Sequence, residues 1–206
     1  MTSTTYRQSA SRRPELEAVD PSNQLFGRMN VRRLDAEVLR DRVLASSSSL
    51  QQTMFGKPIP VVEDFVGQVI VNDTSRRSVY VQQKRSKPET LMRAFDAPVM
   101  ECNCDKRSAS TVATQSLMLM NNEFVAAEAS RWAARAVSEH KDARVRLDSM
   151  FLRAYGRLPD ATDRAQISEF LDQQAARYPR ATAEDARVWA DLAHVIFNSK
   201  EFIFVR

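Results

Sequence analysis

The side chains of this 206-residue sequence with the types to do chemistry are few. They are two histidines (His140 and His194), two cysteines (Cys102 and Cys104) and a carboxylate pair one helical turn apart (Glu37 and Asp41). A histidine could serve as base to a nucleophile, but neither lies in a nucleophile elbow or a zinc signature. His194 falls one residue from the inward face of a helix, where packing explains it better than catalysis. Glu37 and Asp41 could share acid–base work. The commoner use of that spacing is a solvated helix face, and a third reading turns Glu37, Arg40 and Asp41 inward as a polar cluster. Cys102 and Cys104 are one residue apart, which strains any disulfide between them. Cys-x-Cys without a second ligand pair is a weak metal signal, so no metal site and no cofactor is expected. The haem-attachment pattern Cys-x-x-Cys-His does not occur.

Charge is the second resource. The chain carries a net +4, and residues 76–107 alone hold eight basic side chains against four acidic ones. Arg76, Arg77, Lys84, Arg85, Lys106 and Arg107, interleaved with Tyr80 and Phe95, are the candidate binding residues. Paired arginines offer forked donors suited to sulfate or carboxylate, so an acidic polysaccharide is the ligand class this window would take. The competing reading pairs these cations with acidic groups of the same chain. The modest charge comes with no recognised nucleic-acid motif, and no nucleic-acid partner is expected.

These residues need a scaffold, and four glycines in the whole chain favour helices over a turn-rich sheet. The expected fold is mainly α: a helical bundle-like domain with a short β-hairpin or extended excursion around residues 65–85. Residues 1–24 read as an irregular arm broken by Pro14 and Pro21, and residues 25–206 as one domain. A helix should begin near Arg32, with Leu34 and Val38 on one face. The β-rich runs QVIV (68–71) and RSVYVQ (77–82) flank Asn72-Asp73-Thr74, a turn cluster that also matches a glycosylation acceptor. A short helix is expected near residues 88–95. SLMLM (116–120) is apolar nearly all round and should be buried on most sides. Asn122 should cap the next helix, with Phe124, Val125, Ala129, Trp132 and Ala136 inward and Glu128, Arg131 and Arg135 outward. Met118, Met120 and Trp132 read as core packing rather than a cofactor pocket. Residues 142–206 should be helical, interrupted at Gly156–Pro159 and Pro179, with Asp160 or Thr162 as a cap and a capping-box outline at 182–185. The closing FIFV should dock on the core. No run approaches the length of a membrane span, and the first residues lack the pattern of a signal peptide.

Several phrases together carry a family resemblance: TSTTYRQSA (2–10), NVRRLDAEVLRDRVLA (30–45), RRSVYVQQKRS (76–86) and AFDAPVMECNCDKRSASTVATQSLMLMNNEFV (94–125). FLRAYGRLPDATDRAQISEFL and WADLAHVIFNSKEFIFVR near the end fit as well. The chain resembles the planctomycete-specific C-terminal domain of unknown function, PSD-one. The resemblance implies a helical module at the end of long exported or envelope proteins. Upstream of it would lie a second domain of unknown function, often a cytochrome c-like module and sometimes a carbohydrate-binding one. It carries no established activity to any residue. The chain departs from the family pattern at Thr114 and Glu123, where proline is common, and the resemblance implies that it begins partway through the domain. The leading expectation is therefore a non-catalytic structural or interaction domain that docks on an upstream domain or companion protein. The alternatives are an acidic-polysaccharide-binding module through the basic window, and part of a hydrolase site completed by upstream sequence.

Overall fold

The helix ends follow from local chemistry. A computed structural model describes residues 3–5, 7–72, 75–98, 107 and 110–205. Among them the chain runs through α1 (Pro14–Val19), β1 (Arg32–Arg33), α2 (Ala36–Ser46), β2 (Val61–Glu63), β3 (Val69–Val71) and a 3-10 turn (Ser78–Tyr80). It continues through α3 (Thr90–Ala94), α4 (Ala113–Asn121), α5 (Glu123–Glu139), α6 (Ala143–Tyr155), α7 (Ala161–Ala175), α8 (Ala186–Asn198), α9 (Lys200–Ile203) and β4 (Phe204–Val205). Asn122 caps α5 by accepting from the Val125 N–H at 3.3 Å. Asp160 and Asp163 form a reciprocal capping box at the start of α7. Gly156 ends α6 at φ +72°, a left-handed turn that a side chain would strain. The fold is mainly helical, with two small antiparallel sheets among the described residues.

The spine is the pairing of α5 with α8, the most extensive helix contact. Buried Ala129, Ala133 and Ala136 of α5 and Ala193 of α8 keep that interface thin. Trp132 stacks on Phe197 with ring centroids 5.3 Å apart, and Phe197 meets Phe202 at 5.1 Å. Helices α2, α4, α6 and α7 pack around this pair. The segment between α2 and α3 has little regular structure. It lies against α2 through the 3-10 turn and is tied by single bridges, Gln51 to Arg76 and Ile59 to Val81.

Several local expectations give way to tertiary packing. Residues 32–33 are not helix: Arg32 pairs with Val205 and Arg33 with Phe204, which brings the closing segment onto the start of the domain. Leu34 is buried but precedes α2, while Val38 faces outward. The hairpin pairs residues 69–71 with 61–63 rather than with 77–82. Its turn is fixed by Asp64, whose Oδ1 accepts from the N–H groups of Val66 (3.0 Å) and Gln68 (2.8 Å), and by Gly67 at φ +84°. This local turn outcompetes the cluster at 72–74, of which Asp73 and Thr74 lie outside the described residues. α4 buries Gln115 and Leu119 but leaves Leu117 and Met120 exposed at 56% and 58%. Part of the polar arm, Pro14–Val19, forms α1 with no buried residue.

Arg146 of α6 lies buried, its guanidinium 4.5 Å from the Trp189 ring centroid. It donates through Nε (3.0 Å) and Nη2 (2.8 Å) to the carbonyl of His140 and through Nη1 (2.8 Å) to Glu184. Arg146→Ala would strand that carbonyl and open the wall around Trp189. The expected loss is about 3 kcal/mol in urea unfolding, with Arg146→Lys losing less but not recovering the fork.

Candidate functional site

Where the hairpin leans back toward the helices it leaves a cavity of about 560 Å³. Each wall has a separate origin. α2 supplies Arg40 and Leu44, and the hairpin supplies Asp64, Val66, Gln68 and Ile70. α3 contributes Leu91 and its N-cap Glu89; α5 contributes Phe124, Glu128 and Arg131. Asn121 and Asn122, at the joint between α4 and α5, complete the lining together with Glu123.

Three of these side chains are charged and almost fully buried: Arg40 is 2% exposed, Glu89 6% and Glu128 1%. Burial of unpaired charge is costly, so their partners matter. Arg40 donates through Nη1 to the Arg76 carbonyl at 3.0 Å and to Ser78 Oγ at 3.2 Å, and its guanidinium lies 5.3 Å from the Phe124 ring centroid. Burial pushes Arg40 below its ordinary value, and the charges of Asp41, Glu89 and Glu128 push back. Glu128 accepts from Ser47 Oγ at 2.6 Å and from Arg131 Nη1. Glu89 accepts from the Met92 N–H at 2.6 Å, the free donor at the start of α3. Burial nevertheless pushes the Glu89 carboxyl up, against the pull of the Met92 and Leu91 N–H groups and of Arg40. The arrangement can hold a ligand by hydrogen bonds and charge from Arg40, Glu89 and Glu128 and by apolar contact with Val66, Ile70, Leu91 and Phe124.

The residues singled out in the sequence fall elsewhere for the most part. α2 splits the trio of Glu37, Arg40 and Asp41. Arg40 goes to the cavity, Asp41 accepts from the Ser78 N–H at 2.7 Å, and Glu37 meets Arg107 at 2.7 Å on the surface. Of the basic window, Arg76 donates to the carbonyls of Phe55 (2.6 Å) and Lys57 (3.2 Å) and lies over the Tyr80 ring. Arg77 lies 3.6 Å from Asp41, and Lys84 donates to the Val61 carbonyl at 3.2 Å. Arg85 is exposed. Arg77 and Arg107 share one shallow groove, which also holds Asp35, Glu37 and Asp41. Lys106, Cys102 and Cys104 lie outside the described residues. His194 Nε2 bonds the Leu119 carbonyl at 3.1 Å and joins α8 to α4, while the carbonyl of His140 receives Arg146. Among the described residues no cluster of three or more His, Cys, Asp or Glu could hold a metal ion. Among them, too, no helix is long and apolar enough to cross a membrane.

Glu128 was expected on the outer face of α5, yet its phase, shared with Val125, Ala129 and Trp132, is that of the buried stripe. That phase was the readable sign of an inward carboxylate. Glu89 had a weaker sign: a carboxylate directly before a short apolar helix, in the N-cap place.

A mainly helical domain with a polar cavity under its hairpin is the class these features define. The chain belongs to the family described as PSD1, protein of unknown function (DUF1553), which matches residues 1–171. The family resemblance drawn from the sequence phrases holds. Comparison with curated proteins and with solved structures gives no match. The matched stretch ends inside α7, yet α8, with buried Trp189 and Phe197, completes the core against α5. The physical unit therefore runs beyond it.

Because the folded-state Glu89 carboxyl is raised, the folded protein holds that proton more tightly than the unfolded chain. Its contribution is fully present below the ordinary glutamate range and is lost as pH rises through the folded value. Glu89→Gln, which keeps an acceptor for the Met92 N–H, should therefore gain on the parent as pH rises from about 4 to about 8. Urea midpoints across that range check the sign.

Proposed function

We propose that the chain is a non-catalytic binding domain that takes a small ligand, polar at one end and apolar at the other, into the hairpin cavity. The observation that carries this reading is the burial of Arg40, Glu89 and Glu128 at the wall of a cavity of about 560 Å³. Pockets that pair an apolar surface with a few convergent polar groups are the usual form of a ligand site. Among the described residues that line the cavity none is a histidine or a cysteine to act as nucleophile or base. Its two buried carboxylates are already held by Met92, Ser47 and Arg131, which fits recognition better than turnover. The acidic-polysaccharide reading draws less support, since Arg76, Arg77, Lys84 and Arg107 all lean on acceptors within the chain. Docking on a companion domain draws support from α4, where exposed Leu117 and Met120 lie three residues apart on one face.

Amide-resolved NMR of the whole chain against a mixture of small aromatic and aliphatic fragments tests the binding reading. Fragments should shift the amides of Val71, Leu91, Phe124 and Ala127. Ala127→Trp, which fills the cavity from an exposed position of α5, should abolish those shifts without lowering the melting temperature. Shifts at none of these amides, or shifts that survive the tryptophan, would overturn it.

A further inference from the structure

We propose that the ligand of this cavity is an organic cation, an ammonium or guanidinium group carried on an apolar body. The inference rests on the binding reading above and names the chemistry of what is bound. Among the described residues four carboxylates line the cavity (Asp64, Glu89, Glu123 and Glu128) against two arginines (Arg40 and Arg131), a formal surplus of two negative charges, or of one when Glu89 holds its proton. The arginines are committed. Arg131 pairs with Glu128, and Arg40 turns its donors to the Arg76 carbonyl and Ser78 and lies against Phe124. An anionic ligand would meet these carboxylates and, among the described residues, arginines already engaged, at a cost that rises with burial. Among the described residues Asp64, Glu89 and Glu123 enter no close ion pair, so the unbalanced charge lies with them.

Two further features choose the kind of cation. The carboxylates stand on the hairpin, on α3 and on α5, and they do not converge into a cluster that could hold a bare metal ion. The same lining holds Val66 and Ile70, apolar side chains that remain exposed, together with Leu91 and Phe124. An apolar body would remove that surface from water, at about 25 cal/mol for each Å² covered. Burial already makes the ionised form of Glu89 costly, and a cation brought beside it would relieve that cost.

An isosteric trio tests the charge alone: 2-phenylethylamine, phenylacetate and 2-phenylethanol, each titrated into the whole chain and read at the Val71, Leu91, Phe124 and Ala127 amides. The amine should bind and phenylacetate should not. Asp64→Asn keeps the acceptor of the hairpin turn and Glu123→Gln leaves the buried wall intact, and each should weaken the amine about threefold. Phenylacetate or 2-phenylethanol binding as well as the amine, or an amine affinity unmoved by both substitutions, would overturn the cation and leave the cavity reading standing. If none of the three shifts these amides while the fragment mixture does, the cation alone falls. If neither does, both readings fall.

Discussion

A guanidinium taken out of water needs acceptors around its whole plane, and it cannot shed its charge to escape that need. Among the described residues three arginines, Arg33, Arg40 and Arg146, are buried under that constraint. Each solves it with backbone carbonyls, for Arg33 and Arg40 ones far along the chain. Arg33 reaches the carbonyls of Phe95 and Ser110 and the carboxylate of Asp96. Arg40 reaches Arg76, and Arg146 reaches His140. Half-buried Arg42 does the same between α2 and the carbonyls of Ala154 and Phe202. In the irregular stretch between α2 and α3, the carbonyls of Arg76, Phe55 and Lys57 take donors from the guanidinium groups of Arg40 and Arg76. Side-chain forks take the place of a backbone ladder there.

The cavity is a by-product of that solution. Arg40 is drawn toward the 3-10 turn, Glu128 toward Ser47, and Glu89 toward the start of α3, so the space between them keeps polar walls. The walls differ in firmness. α5 is locked to α8 by aromatic stacking and small-residue contact. The hairpin rests mainly on α3, with Phe65 at its tip 91% exposed. Few buried contacts mean a low free energy of local opening, so the hairpin side is where a guest would enter.

The helices could be read because their signals are local. Asn122, Gly156 and the Asp160–Asp163 box act within a few residues, and the sequence order alone reveals them. What could not be read depended on partners far along the chain. Arg32–Arg33 looks helical until Phe204–Val205 arrives to pair with it. SLMLM looks fully buried, but α4 lies at the edge of the α5–α8 pair and turns Leu117 and Met120 outward. The site was missed for a related reason. Charge density drew attention to residues 76–107, where most cations serve the chain's own carbonyls and carboxylates. The inward carboxylates, Glu89 and Glu128, are single residues in otherwise ordinary helical surroundings.

The pairing of β1 with β4 places residues 32 and 205 side by side, on strands that run in opposite directions. The stretch from 32 to 205 thus starts and finishes at one spot. The order in which the helices are strung is then separable from the way they pack. A short linker from 205 back to 32, with a new opening in the exposed loop at 52–57, would leave every core contact in place. By the same geometry the stretch from 32 to 205 could be set into a surface loop of another protein, with its host's chain entering and leaving through a single seam.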